Sequence, residues 1–466
     1  MIPLSLDEIA HATGGRVYPV HAASTLVDAA VVTDSRECVP GSLYVARMGE
    51  HADGHDFVAG AAARGAVAAL TAREVPGLPC VVVDDVGDAF AALGRTVVDR
   101  CRADGGLNIV GITGSSGKTS TKDLMAQVIV HLGKTLAPHA SYNSEVGVPL
   151  TVCRLQSDTE YLVAEMGASG VGHIEYLTKI APPDVGVVLN IGSAHLGEFG
   201  SRQAIADTKA ALVRALEPGG LAVLNADDPM VVDMASQSAG SVVLVGRSDA
   251  AQVRADDVVL NTRGQASFTM TLPGCGGERV ELSLHGEHHV GNALSVAAVA
   301  HFWGMGSIAI ARALGEAVAQ SRWRMEVTER VDGITIVNDA YNANPESMRA
   351  ALQALVSMRS SGRIIAVVGE MLELGEDSEA EHERVGAYAA ELGVDNVIAI
   401  GPLAAPAARA FKTVRMEGGL QIDSVEDART MVEDLLVHGD VVILKSSRDS
   451  GLRHLGDALA TGGARA

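Results

Sequence analysis

Thr113-Gly114-Ser115-Ser116-Gly117-Lys118-Thr119-Ser120 is the stretch whose reading decides the fold. Ahead of it, Leu107-Asn108-Ile109-Val110-Gly111-Ile112 reads as a short buried parallel strand. Behind it, Leu124, Met125, Val128, Ile129 and Leu132 recur at helical spacing until Gly133 ends the segment. A glycine loop between a strand and a helix is a phosphate cradle, because loop N–H groups and the helix N-terminus face the same anion. Gly114, Ser115, Ser116, Gly117, Lys118, Thr119 and Ser120 are therefore the expected contacts of a nucleoside triphosphate. Lys118 is suited to bridge the β- and γ-phosphates, and the Thr119 hydroxyl to hold Mg²⁺. Ile112 stands where the general motif has its first glycine, so the loop is the shorter Gly-x-x-Gly-Lys-Thr form.

Working outward, the 466 residues predict three domains at about 150 residues each. An apolar share of 47% with only 3% aromatic residues makes Ala, Val, Leu and Ile the core formers. The formal charge of −21 argues against nucleic acid or an anionic membrane as partner, since both are held through a Lys/Arg excess. An anionic substrate must then meet a local basic pocket. Five widely spaced cysteines, with no C-x-x-C pair, fit a reduced cytosolic protein with apolar core thiols. No signal peptide is read at the N-terminus, and no apolar run approaches the ~20 residues of a membrane helix. A cytoplasmic monomer without membrane insertion is expected.

Residues 1–104 read as a first α/β unit, with a helix over 4–12, strands over 42–46 and 80–83, and an Ala-rich helix over 56–70. Residues 105–320 carry the phosphate loop in a mainly parallel, helix-covered sheet. Strands over 161–164 and 184–189 bring Glu165 and His195 to the sheet edge from which that loop leaves, where ligands of open parallel sheets bind. Glu165 and His195 with Thr119 make a magnesium shell, although His is unusual for so hard an ion. Alternation between 241 and 281 predicts a small antiparallel excursion. Residues 321–466 form a third, doubly wound α/β domain, with buried strands over 364–369, 396–401 and 440–444 and no second phosphate loop.

Several of these stretches together resemble the Mur ligases, ATP-dependent amide-forming enzymes of peptidoglycan precursor synthesis. The phosphate loop, Glu165-Met166-Gly167, Asn190-Ile191-Gly192 with His195, Asn225-Ala226-Asp227-Asp228 and Gly286-Glu287-His288-His289-Val290 with Asn292 follow in that family's order. His289 replaces a more usual Asn. The resemblance implies an α/β, three-domain architecture: a UDP-substrate domain (1–104), a central P-loop parallel-sheet domain (105–320) and a C-terminal Rossmann-like domain (321–466). Asn338-Asp339-Ala340-Tyr341-Asn342-Ala343-Asn344-Pro345 and Gly369-Glu370-Met371-Leu372-Glu373-Leu374-Gly375 are similar to the branch that adds D-alanyl-D-alanine to UDP-N-acetylmuramoyl-tripeptide. Asp more often stands at the Glu370 position there.

The chemistry so implied is carboxylate activation by ATP to an acyl phosphate, then attack by the dipeptide amine. By resemblance, Thr119 and Glu165 hold one Mg²⁺, and His195 a second near the substrate carboxylate. Lys209, on an expected helix over 203–216, aligns with a lysine that family members carbamylate, which would give the second metal an oxygen ligand. Carbamylation needs a neutral amine, so burial should lower the Lys209 pKa. Lys118, His195 and Lys209 form the implied catalytic set. Asn292 is the implied adenine contact, unless it or His288 only caps the helix over 292–300. Arg324 and Asp339 reach phosphate and ribose when the domains close. Ser35 and Arg36 go to the uridine diphosphate end, and Asn342 and Asn344 to D-alanyl-D-alanine, with an Asn/Pro turn as the bland alternative for the latter pair. Lys445, with Ser446-Ser447-Arg448 after it, ends a third-domain strand and could touch substrate. A sister ligase taking another amine, or a nucleotide switch that joins nothing, stays open at this point.

Overall fold

In the computed structural model, residues 1–49, 51–193 and 196–462 are described. The chain builds three main sheets, of five, nine and six strands, in an α/β, three-domain architecture. In the central nine-stranded sheet, Asn108–Thr113 lies between Tyr161–Glu165 and Val185–Val188, parallel to both. Leu221–Asn225, Ser241–Gly246 and Val253–Leu260 continue the parallel set outward. The register sets Glu165 opposite Ile112 and Val188 opposite Thr113. The strand ends thus deliver Glu165 and Asn190 to either side of the loop that starts at Gly114. The antiparallel excursion is Val253–Leu260, Gln265–Thr271 and Gly277–His285. It extends this same sheet, and Ser241–Gly246, read with it from sequence, pairs parallel.

Lys118–Ile129 is the helix behind the loop, and it packs against His289–Phe302. Leu124, Met125, Val128 and Ile129 all lie in the core between that helix pair and the sheet. His289–Phe302 is buried nearly all round, which suits a helix covered by neighbours on every side.

The first domain's sheet runs Arg16–Tyr18, Cys80–Val82, Ala68–Thr71, Leu43–Val45, Val31–Val32, parallel except at its first pair. The helix expected over 56–70 is shorter than read. A 3₁₀ turn spans Gly54–Phe57 and the helix spans Val58–Ala63. Gly65, at φ +100°, takes the chain out of the helix, and Ala68–Thr71 returns as a fully buried central strand. Alanine reads as helical, but a strand buried on both faces accepts it as well. Thr33-Asp34-Ser35-Arg36 and Asp53-Gly54-His55-Asp56 are 3₁₀ turns whose Asp34 and Asp53 carboxylates accept from the N–H two residues on.

The third sheet runs Glu326–Glu329, Thr335–Asn338, Val441–Lys445, Ile364–Val368, Asn396–Ile400, Gly419–Ile422, and only its first pair is antiparallel. Its doubly wound form matches the expectation. The cysteines are free and four of the five are buried, in keeping with core thiols.

Candidate nucleotide and ligation site

The phosphate loop is pinned before any ligand arrives. Gly117 sits in the left-handed region at φ +81° and opens the helix at Lys118. Ser115 N–H donates to Asn190 O at 3.0 Å, and Ser115 Oγ accepts from Gly192 N–H at 2.8 Å. Ser116 donates through N–H (2.9 Å) and Oγ (3.3 Å) to Asn190 Oδ1. The Asn190-Ile191-Gly192 strand end therefore serves as the loop's template. Lys118 Nζ folds back onto Gly114 O at 2.7 Å, holding the ammonium inside the curl of the loop. Its enclosure pulls that ammonium below the ordinary lysine value, the Glu165 carboxylate opposing and Arg324 adding to the effect.

Beside the loop, Thr119 Oγ1 and Ser141 Oγ are 2.8 Å apart. Glu165 is 1% exposed; its Oε1 accepts from Asn143 Nδ2 at 2.6 Å, while Oε2 is buried with no partner among the described residues. A buried carboxylate oxygen left unpaired is costly unless a cation meets it. With a hydroxyl next to it, this donor set suits a hard divalent ion. No cluster of three or more His, Cys, Asp or Glu side chains forms among the described residues, so any ion here would take most of its ligands from phosphate and water. Lys209, on the helix Arg202–Arg214, is buried, and burial lowers its pKa to about 7 with Lys118 contributing. His195 lies outside the described residues.

The third domain supplies the opposite wall of a cleft of about 470 Å³. Arg324 Nη2 donates to Ser141 Oγ at 2.9 Å and its guanidinium lies 4.2 Å from the centre of the Tyr341 ring. Asp339 accepts from Lys445 Nζ at 2.7 Å and from Met325 N–H at 3.0 Å. Lys445 Nζ also donates to Asn342 O at 3.0 Å, which fixes the Tyr341-Asn342 turn. Asn344 caps the helix Pro345–Ser357, its Oδ1 accepting from Ser347 N–H at 2.8 Å, and its Nδ2 leans on Ser115 O at 3.4 Å. Ser193 N–H and Oγ donate to Glu346. The third domain is thus closed over the loop.

Known proteins share this sequence and fold. Residues 29–86 match the Mur ligase family catalytic domain, 112–300 the Mur ligase middle domain, and 323–448 the Mur ligase glutamate ligase domain. The chain belongs to the Mur ligase family. The UDP-N-acetylmuramoyl-tripeptide--D-alanyl-D-alanine ligase of Mycobacterium tuberculosis is 43% identical, with 98% of each chain covered. A crystal structure of MurF from Acinetobacter baumannii superposes with a TM-score of 0.89 at 30% identity, covering 98% of this chain and 99% of that one. The MurF ligase of Thermotoga maritima in complex with ADP superposes with a TM-score of 0.80 at 29% identity, covering 93% and 97%.

In this Mur ligase the cleft gathers Ser115 through Ser120, Glu165, Asn292, Arg324, Asp339, Asn342 and Asn344. Asn292 stands over the loop, its Oδ1 3.1 Å from where a Cβ on Gly117 would be. It lies inside the helix His289–Phe302, and His288 makes no side-chain cap bond, so neither is there as a cap. Ser35 and Arg36 are not among the residues lining this cleft; Arg36 is exposed and pairs with Asp34 at 2.6 Å. Sequence reasoning passed over Ser141, Asn143, Glu346 and Tyr341 as individual contacts. Ser141-Tyr142-Asn143 carries no glycine signature of its own, so only its position beside Thr119 gives it a role.

Proposed function

We propose that this chain joins D-alanyl-D-alanine to UDP-N-acetylmuramoyl-tripeptide, converting ATP to ADP and phosphate through an acyl phosphate, in cytoplasmic peptidoglycan precursor synthesis. The observation that carries the reading is the closed cleft, where the Asp339–Pro345 turn faces a Mur ligase phosphate loop across one cavity. The loop N–H groups and Lys118 hold the β- and γ-phosphates. Asn292 takes the adenine, Asp339 the ribose and Arg324 a phosphate. Two anions must meet, since the substrate carboxylate attacks the γ-phosphorus as ADP leaves. Mg²⁺ ions, two in this reading, would screen that repulsion, and Thr119, Glu165, His195 and a Lys209 carbamate are the residues that would hold them. The dipeptide amine then attacks the acyl carbon and inorganic phosphate departs.

Lys209 supports the carbamate reading through its environment, because an amine with a pKa of about 7 has a large neutral fraction at neutral pH, where CO₂ must add, and an ordinary lysine has almost none. Asn342 and the Nδ2 amide of Asn344 are the dipeptide candidates, the Asn344 oxygen being engaged in its cap. Ser35 and Arg36 are assigned to the uridine diphosphate, which Arg can meet through paired N–H donors. Domain limits at 104/105 and 320/321 and a monomeric state belong to the same reading. No helix among the described residues is long and apolar enough to cross a membrane.

Phosphate release is the test. Release requiring both the nucleotide tripeptide and D-alanyl-D-alanine, with a product of the pentapeptide mass, is expected. Release driven by a single amino acid would move the chain to a sister ligase. Release indifferent to either substrate would reduce it to an ATPase.

A further inference from the structure

The segment joining the central and third domains carries two backbone outliers. Trp323 is at φ +59° and Met325 at φ +50°. Both are in the left-handed region, unfavourable for any residue with a Cβ and exceptional for a bulky one. Such a conformation persists only where the surroundings over-determine it, and it then points to a role. Between the two lies Arg324, the residue the segment sends into the nucleotide cleft.

The surroundings of Trp323 do over-determine it. Its indole Nε1–H donates to both carboxylate oxygens of Asp457, at 3.0 and 3.1 Å. Arg322 Nη2 donates to the same carboxylate at 2.9 Å, as does Asn338 Nδ2 at 3.2 Å. The Arg322 and Arg453 guanidinium carbons lie 4.9 and 5.2 Å from the indole centre, and His454 meets the ring edge-on. Trp323 O accepts from Tyr341 N–H, and Met325 N–H donates to Asp339. Asp457 sits on the chain's last described helix, Leu452–Thr461, outside the residues lining the cleft. Arg324 keeps one buried donor, Nε, with no partner among the described residues. That donor is available to an anion.

We propose that Asp457, through Trp323 and Arg322, is a positioning clamp that holds the strained linker so that Arg324 points at the nucleotide phosphates. The proposal rests on the assignment of Arg324 to phosphate. Left-handed residues on either side of Arg324 fix the direction of its Cα–Cβ bond; the Asp457 carboxylate anchors the Trp323 indole, while Glu326 Oε2 and Tyr341 N–H hold its backbone. Released from the carboxylate, Trp323 relaxes to negative φ and Arg324 no longer meets Ser141. Asp457 lies outside the cleft, so its effect passes through the residues it holds, Arg324 foremost.

A double-mutant cycle read by calorimetry of a non-hydrolysable ATP analogue with Mg²⁺ tests this on the full chain. Asp457→Ala and Arg324→Ala should each weaken binding about tenfold, the scale of a lost charge-assisted contact, and the double variant no further. Losses that multiply, to about a hundredfold in the double variant, would overturn the clamp, as would wild-type affinity in Asp457→Ala. Wild-type affinity in Arg324→Ala would overturn the clamp together with the phosphate role of Arg324, separating that failure from the others. Should Asp457→Ala not fold, Asp457→Asn keeps an acceptor for the indole while losing the ion pair, and about threefold weaker binding is expected. Unchanged affinity there would overturn the proposal. In a Trp303→Phe background Trp323 is the sole tryptophan. Its emission should move to longer wavelength in Asp457→Ala, and unmoved emission would equally overturn the clamp.

Discussion

Lys209 is a helix lysine at 4% exposure, and burial holds its pKa to about 7. An unfolded lysine titrates near ~10.4. Between those values the unfolded chain binds the extra proton, so stability rises with pH there. The cost of burying this amine is fully present below pH 7 and fades as the pH approaches the unfolded value. Lys209→Met should therefore raise stability by about 2 kcal/mol in bicarbonate-free buffer at neutral pH, while abolishing ligation. The gain should shrink toward pH 10, as melting curves across that range would register. A stable variant that still ligates normally with bicarbonate varied would remove the carbamate reading. Lys118→Ala should likewise abolish ligation and leave the melting temperature near wild type, because among the described residues the ammonium's hydrogen-bond partner is a loop carbonyl of its own turn. The positions of Lys118 and Glu165 beside the loop were legible because each sits at a strand or helix end, whereas Asn292 was named only through the family resemblance. Ser141 and Asp457 were not legible, since a lone Ser or Asp acquires meaning only from a neighbour far along the chain.

Gly117 shows what the loop-helix junction demands. A Cβ there would stand 3.1 Å from Asn292 Oδ1, and φ +81° adds backbone strain. Gly117→Ala should cost about 1–2 kcal/mol of stability and much more in nucleotide affinity, because the N–H groups around it turn with it. Chemical denaturation paired with analogue binding separates the two. Elements with a strong period or punctuation were readable: the strand-loop-helix, although its helix ends at Ile129 and not at Gly133, and the valine and isoleucine strands of the third sheet. The Ala-rich 56–70 stretch was not, because alanine propensity says helix while Gly65 and burial between two strands say otherwise. Asp440 illustrates an element end set by charge. Its carboxylate is fully buried; burial would raise its pKa, but hydrogen bonds from Arg363, Val437 N–H and Arg363 N–H together lower it. The folded pKa is depressed, so this pair's stabilisation is present above the unfolded carboxylate value and lost as the pH falls through the folded one. Asp440→Asn should cost about 2 kcal/mol at pH 7 and less at pH 3, checked by urea melts at both.

At the scale of the molecule, side-chain contacts among the described residues tie the third domain to the central one at the cleft, including these three: Arg324 to Ser141, Asn344 to Ser115, and Glu346 to Ser193. The sequence could name the two faces but not their approach, since closure depends on residues more than 150 positions apart meeting at hydrogen-bond distance. Glu346 is the closest-fitting of the three. It accepts Ser193 N–H at 3.0 Å and the hydroxyl at 3.1 Å, and its carboxylate would lie 2.8 Å from a Cβ on Gly192. That fit also bears on the loop, because Gly192 N–H is the donor to Ser115 Oγ. Glu346→Ala removes a latch but touches no proposed substrate contact, so it should shift the ligand-free protein toward an open form. Small-angle scattering should then give a larger radius of gyration than wild type, and saturating nucleotide and tripeptide should restore the compact value. Turnover at saturation should stay within about threefold, with the KM for ATP raised about tenfold, since closure would draw on binding energy that the latch otherwise supplies. An unchanged radius with an unchanged KM would mean that packing at the domain boundary, rather than this carboxylate, holds the cleft shut.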